Sequence, residues 1–153
     1  MIVLTRSNPQ SAVSMPIRIL LIEDYEPFRR FVRSTLRKRP ELKIVGEVSD
    51  GFEGVQKAKE LKPDLILLDI GLPTLDGFEV ARRIRKLVPE SRIVFLSMED
   101  SADLVQEALS LGARGYLEKA RSVGEILAAV EAVCQGKQYV SGGLLGLQGQ
   151  GRT

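Results

Sequence analysis

Short apolar runs recur along this chain, and the spacing of apolar positions changes between them. Ile17-Arg18-Ile19-Leu20-Leu21-Ile22, Leu65-Ile66-Leu67-Leu68 and Arg92-Ile93-Val94-Phe95-Leu96 lack regular polar alternation and are rich in branched side chains. Such runs predict strands buried on both faces. Ile44-Val45-Gly46-Glu47-Val48 and Gly115-Tyr116-Leu117 predict two shorter strands. In the intervening segments the apolar positions follow a helical period. Phe28, Phe31, Val32 and Leu36 share one face of a first helix. Pro27 suits its first turn, and Pro40 places its end near Arg39. After the Asp50-Gly51 turn, a second helix is expected from about Phe52 to Leu61. A third carries Phe78, Val80, Ala81, Ile84 and Leu87, and a fourth runs from about Ala102 to Leu111, with Gly112 as its C-terminal glycine. The last helix starts after Ser122, read as an N-cap with Glu125 three residues on in a capping box, and stops at Gly136.

Strands and helices alternate five times, which calls for an α/β fold: a doubly wound parallel sheet with helices on both faces. Residues 16–140 are expected to form one domain. Residues 1–15 read as a disordered N-terminal extension, and the glycine-rich residues 141–153 as a flexible tail or linker stub.

Composition narrows the chemistry. The 153 residues suit one domain with a core. Twenty-two basic against 20 acidic residues leave a net charge of +2, too balanced to argue for nucleic acid or a membrane surface. The absence of histidine excludes His-ligated zinc, Ser-His and Cys-His nucleophiles, and histidine as a phosphoryl carrier. A single cysteine, Cys134, excludes an internal disulfide and reads as a small residue beside a helix core face. No run reaches the ~20 apolar residues of a membrane span, and the first fourteen residues do not make a secretory signal. A cytoplasmic protein is expected.

The strands end in polar groups. The first runs into Glu23-Asp24, the third into Asp69, the fourth into Ser97, and the fifth into Glu118-Lys119. Ligands bind outside the carboxyl ends of buried parallel strands. Carboxylates gathered there repel one another unless a cation or lysine sits among them or one pKa is raised. Hard oxygen ligands of this kind suit Mg²⁺ with water and phosphate oxygens. A carboxylate beside such an ion can attack a phosphoryl group and become an acyl phosphate, with Lys119 and Ser97 available for other phosphoryl oxygens. Each residue alone has a plainer reading as a cap or surface charge. Glu23, Asp24, Asp69, Ser97 and Lys119 together at one edge are harder to explain that way.

Leu21-Ile22-Glu23-Asp24, Asp69-Ile70-Gly71-Leu72-Pro73 with Gly77, Leu96-Ser97 and Gly115-Tyr116-Leu117-Glu118-Lys119 resemble, in order, the motifs of response-regulator receiver domains of two-component signalling. The resemblance covers residues 16–140. The run from Arg92 to Glu99 and the stretch from Gly112 to Ser141 are most similar to the NarL-type subfamily, which usually carries a helix-turn-helix output domain. It implies a (βα)5 flavodoxin-like sheet in strand order 2-1-3-4-5. It also implies that Asp69 is the phosphoacceptor and that Glu23, Asp24, Asp69 and the Gly71 carbonyl hold Mg²⁺. Ser97 and Tyr116 would then be switch residues, and Lys119 would bond to the phosphoryl group. Gly71 and Glu99 stand where the family tunes acyl-phosphate hydrolysis. Met98 replaces a residue that is small in many receivers, and Ala120 replaces a frequent proline.

The implied function is a phosphoacceptor switch, not an enzyme, that takes its phosphoryl group from a sensor histidine kinase or phosphotransfer protein and controls an output partner or domain, in transcription regulation for this subfamily. A phosphorylation-independent interaction module is the alternative. An aspartyl phosphatase is disfavoured because Gly71 stands where a second aspartate would help. No Gly-x-Gly-x-x-Gly follows the first strand, so a dinucleotide site is weak. The basic first-helix residues Arg29, Arg30, Arg33, Arg37, Lys38 and Arg39 read as a solvated face, or as a surface for an acidic partner. A homodimer is plausible. Direct nucleic-acid binding and membrane association are not expected.

Overall fold

Residues 15–141 are described by the structure, a computed structural model. The chain runs β1 (Ile17–Ile22), α1 (Glu26–Leu36), β2 (Leu42–Val48), α2 (Gly51–Leu61), β3 (Leu65–Asp69), α3 (Gly77–Leu87), β4 (Arg92–Ser97), α4 (Ala102–Ser110), β5 (Gly115–Glu118), a 3-10 turn (Lys119–Arg121), α5 (Ser122–Cys134) and β6 (Tyr139–Val140). Every strand pair is parallel. The order is β2-β1-β3-β4-β5-β6, the expected sheet with a sixth strand added at the β5 edge.

The alternation of side chains along each strand divides the core. Leu20, Ile22, Ile66, Leu68, Ile93, Phe95 and Tyr116 pack with residues of α2, α3 and α4. Ile19, Leu21, Leu65, Leu67, Val94, Leu96 and Leu117 pack with α1 and α5. Residues one apart therefore serve opposite faces. Each fully buried Leu or Ile contributes about 2 kcal/mol. Two such layers can offset the several kcal/mol that a buried ion costs.

Local signals fix the helix ends. Asp50 caps α2 by accepting from the Glu53 N–H at 3.0 Å, Asp76 caps α3 through Glu79 at 3.1 Å, and Ser101 caps α4 through Leu104 at 3.2 Å. Gly112 follows α4 at φ +91°, in the left-handed region that favours glycine.

Three expectations are corrected. Ser122 is the first residue of α5, not its N-cap. Arg121 holds the cap position without a side-chain cap bond, and the buried Ser122 Oγ has no hydrogen-bond partner among the described residues. The 3-10 turn before it already places Ser122 at φ −61°, ψ −34°, so no capping box forms. The α1 arginines are not simply a solvated face. Arg33 makes two hydrogen bonds to Glu47 of β2, at 2.8 and 2.9 Å, and Arg29 lies 3.8 Å from the same carboxylate. Arg39 reaches Glu131 on α5 at 2.8 Å. The Arg33 guanidinium holds the Glu47 carboxyl below the usual carboxylate range. Finally, Ser141, assigned to the tail, is fully buried against β5. Of the extension expected over 1–15 and the tail expected over 141–153, residues 1–14 and 142–153 lie outside the described residues. Cys134 packs beside the α5 core face as expected.

Candidate functional site

The polar strand ends meet in one cleft of about 700 Å³ at the carboxyl edge of the sheet, lined in part by Asp24, Asp69, Gly71, Ser97, Met98 and Lys119. β1 and β3 are neighbours, so Glu23 and Asp24 follow one strand while Asp69 closes the next. Oxygens of Glu23, Asp24 and Asp69 lie within 4.8 Å of one another. Glu23 is fully buried and Asp69 is 4% exposed, while Asp24 is open to solvent.

Charge in this cluster is balanced by Lys119, which enters from the turn after β5. Its Nζ donates to Glu23 Oε2 at 3.0 Å and lies 3.5 Å from Asp69 Oδ1. Its charge also sits 4.9 Å from the centroid of the Phe28 ring on α1, a cation–π contact. Glu23 Oε2 accepts a further bond from the Tyr25 N–H at 3.0 Å. Glu23 Oε1 lies 2.8 Å from the lysine as an ion pair but has no hydrogen bond. Burial, then the neighbouring Glu23 charge, push the Asp69 carboxyl up to about 6; Lys119 and the Gly71 N–H, donating to Oδ1 at 3.0 Å, act the other way. A cation among the acids and a raised pKa thus both relieve the repulsion.

The residues present fit a hard divalent cation. Three carboxylates converge, and one of them, Asp24, is open to solvent in the cleft, where hard oxygen ligands suit such an ion. The backbone of the following loop is held close. A Cβ on Gly77 would come within 2.4 Å of the Asp69 carbonyl oxygen and 2.7 Å of Ile70 Cα, so only glycine lets α3 begin there. At Gly71 the same addition meets only Asp69 Oδ1, at 3.8 Å.

On the β4 side, Ser97 Oγ accepts from the Glu99 N–H at 3.0 Å. Tyr116 is fully buried, and its hydroxyl donates to the Glu99 carbonyl at 2.8 Å. Burial pushes its phenol pKa up, opposed by the Ser97 hydroxyl. Met98 is 76% exposed at the mouth of the cleft, so it does not fill the site. All the residues singled out from sequence therefore gather at one edge. Three contributors were missed. Phe28 was read as core, Thr74 hydrogen-bonds the α2 cap Asp50 and so pins the loop after β3, and Arg29 donates to the Glu23 carbonyl at 2.7 Å. None of the three carries a local signal for that role, although Asp50, the partner of Thr74, reads as a turn residue.

A parallel sheet of this order with helices on both faces defines the flavodoxin-like class of α/β domain, and comparison with known proteins names the family. Residues 19–131 match the response regulator receiver domain, and the chain belongs to that family. It is therefore a receiver domain of a two-component system, and its relatives are response regulators of the NarL, DegU and LiaR kind. It is 36% identical over 126 residues to the nitrate/nitrite response regulator protein NarL of Escherichia coli K12, covering 82% of this chain and 58% of that one. It is 34% identical over 124 residues to the transcriptional regulatory protein DegU of Brevibacillus brevis, covering 81% and 52%. A LuxR-family two-component response regulator from Aurantimonas sp. SI85-9A1 superposes with a TM-score of 0.84 at 28% identity, covering 90% of this chain and 98% of that one. The chain thus spans little more than half the length of the curated relatives it matches. Among the described residues no helix is long and apolar enough to cross a membrane.

Proposed function

We propose that this domain is a phosphoacceptor switch in the cytoplasm and that Asp69 is the residue that reacts. The observation that carries the reading is the environment of Asp69: a nearly buried carboxylate at the end of β3, 3.5 Å from Lys119 and facing a cleft, with two further carboxylates beside it. The donor would be a phosphohistidine on a sensor kinase or phosphotransfer protein. An Asp69 carboxylate oxygen attacks phosphorus as the P–N bond breaks. The imidazole leaves with the electron pair and takes up a proton, and Asp69 becomes an acyl phosphate.

Glu23, Asp24, Asp69 and the Gly71 carbonyl are the groups that would hold Mg²⁺, whose chemistry there is neutralisation of phosphoryl charge. The chain's own side chains do the rest. Lys119 supplies a fixed positive charge to one phosphoryl oxygen. Ser97, one strand away, offers a hydroxyl to another, and giving up its bond from the Glu99 N–H would loosen the segment that holds Tyr116. None of the required groups is missing, so nothing at the site favours a phosphorylation-independent module. From the relatives we take transcription control as the process served.

Acetyl phosphate with Mg²⁺, followed by intact-mass measurement, tests this. One phosphoryl group is expected on the wild type and none on Asp69→Asn. No adduct under conditions that label a control receiver overturns the reading.

A further inference from the structure

Beyond β5 the chain does something the five-unit fold does not require. α5 carries it from the cleft back to the amino edge of the sheet. β6 then returns it, parallel to β5, with Gly115 paired to Tyr139 and Tyr116 to Val140. Because the pairing is parallel, residue 141 arrives at the carboxyl edge, the edge that holds Asp69.

The hold on this segment is specific. The Tyr139 N–H donates to Arg114 O and the Ser141 N–H to Tyr116 O, both at 2.9 Å. The Glu118 N–H donates to Ser141 Oγ at 3.0 Å. Tyr139 Oη donates to Glu125 on α5 at 2.8 Å. Val140 and Ser141 are buried. Ser141 thus bonds to the residue immediately before Lys119 and to the backbone of Tyr116.

Building on the phosphoacceptor reading, we infer that Tyr139–Ser141 is a coupling strand that senses the state of Asp69 through Glu118 and Tyr116 and transmits it to the chain beyond residue 141. Lys119 now sits on Glu23. A phosphoryl group on Asp69 draws that ammonium across, and the Glu118 amide, one residue away on the backbone, shifts with it. Release of the Tyr116 hydroxyl from Glu99 acts on the same strand. Both movements strain the bonds that seat Ser141, and the segment loosens.

Hydrogen–deuterium exchange on the full chain, with and without acetyl phosphate and Mg²⁺, reads this directly, while intact mass reports the adduct in the same samples. Phosphorylation is expected to speed exchange over residues 137–141 by about fivefold, the factor given by loss of one ordinary hydrogen bond. Ser141→Ala is expected to exchange fast in both states with the adduct yield unchanged, and Ser141→Thr, which keeps the hydroxyl, to restore the response. If Ser141→Ala proves unfolded by circular dichroism, Tyr139→Phe, which removes only the Glu125 bond, takes its place with the same expectation. A full adduct with unchanged exchange in the wild type overturns the coupling and leaves the phosphoacceptor reading standing. Absence of an adduct overturns that reading and the coupling with it.

Discussion

Lys119 reaches across the top of the sheet to bond Glu23, joining the turn after β5 to the end of β1. One partner is fully buried and the other nearly so. Removing one member of such a pair leaves an uncompensated charge in the interior. Lys119→Ala should therefore destabilise the domain by about 3 kcal/mol. Urea titration measures the loss, and a change within error would show that Glu23 is solvated or neutral in the variant.

Asp69 sets a pH dependence of opposite sign to the usual acidic residue. Its folded-state value of about 6 lies above the unfolded 3.8, so the folded protein binds the proton more tightly. Stability from this group is complete below the unfolded value, falls as pH rises between the two, and is lost above the folded one. Asp69→Asn removes the term. Its melting temperature should exceed the wild type's at pH 7.5, by a few degrees for about 1 kcal/mol, and the gap should narrow toward pH 4. A constant gap across that range would contradict it.

Mg²⁺ should compete with that proton. Binding to the carboxylate set requires Asp69 ionised, so affinity should rise as pH increases through about 6. Isothermal titration at pH 5 and pH 7.5 compares the two. Asp24→Ala should weaken binding at the higher pH by about tenfold or more, and an unchanged affinity would remove Asp24 from the ligand set.

The two glycines after β3 should behave differently. Gly77→Ala drives a methyl group into the Asp69 carbonyl and Ile70 backbone, which cannot move aside as a flexible side chain could. A loss of about 2 kcal/mol or more is expected. Gly71→Ala has ordinary clearance and should melt within a degree or two of the wild type. Thermal denaturation of both variants checks the contrast.

The site was legible in the sequence because its parts lie at the ends of long apolar runs. β1, β3 and β4 are buried on both faces, so each strand and its final polar residue could be placed from local pattern alone. What escaped was set by tertiary pairing. β6 has only two residues, and Tyr139 is half-buried, so no apolar run announces it. The Arg33–Glu47 pairing joins a helix to a strand 14 residues on, and helical periodicity says nothing of it. Ser122 followed by Glu125 has the spacing of a capping box, but the preceding 3-10 turn puts the serine inside the helix. Phe28 has the periodicity of a core residue, and its second role beneath Lys119 depends on where β5 ends.

The sixth strand also bears on how the domain can be cut and how it is made. β5 is an inner strand of the sheet only while Tyr139 and Val140 lie against it. A fragment ended at Cys134, where the last helix stops, would present the bare backbone of Gly115–Tyr116, and an uncovered strand of this kind recruits other chains. During synthesis the same backbone stands open until residue 141 has emerged, since β6 follows β5 and α5 in the chain. Those few residues cover the β5 backbone, and expression boundaries belong after Ser141.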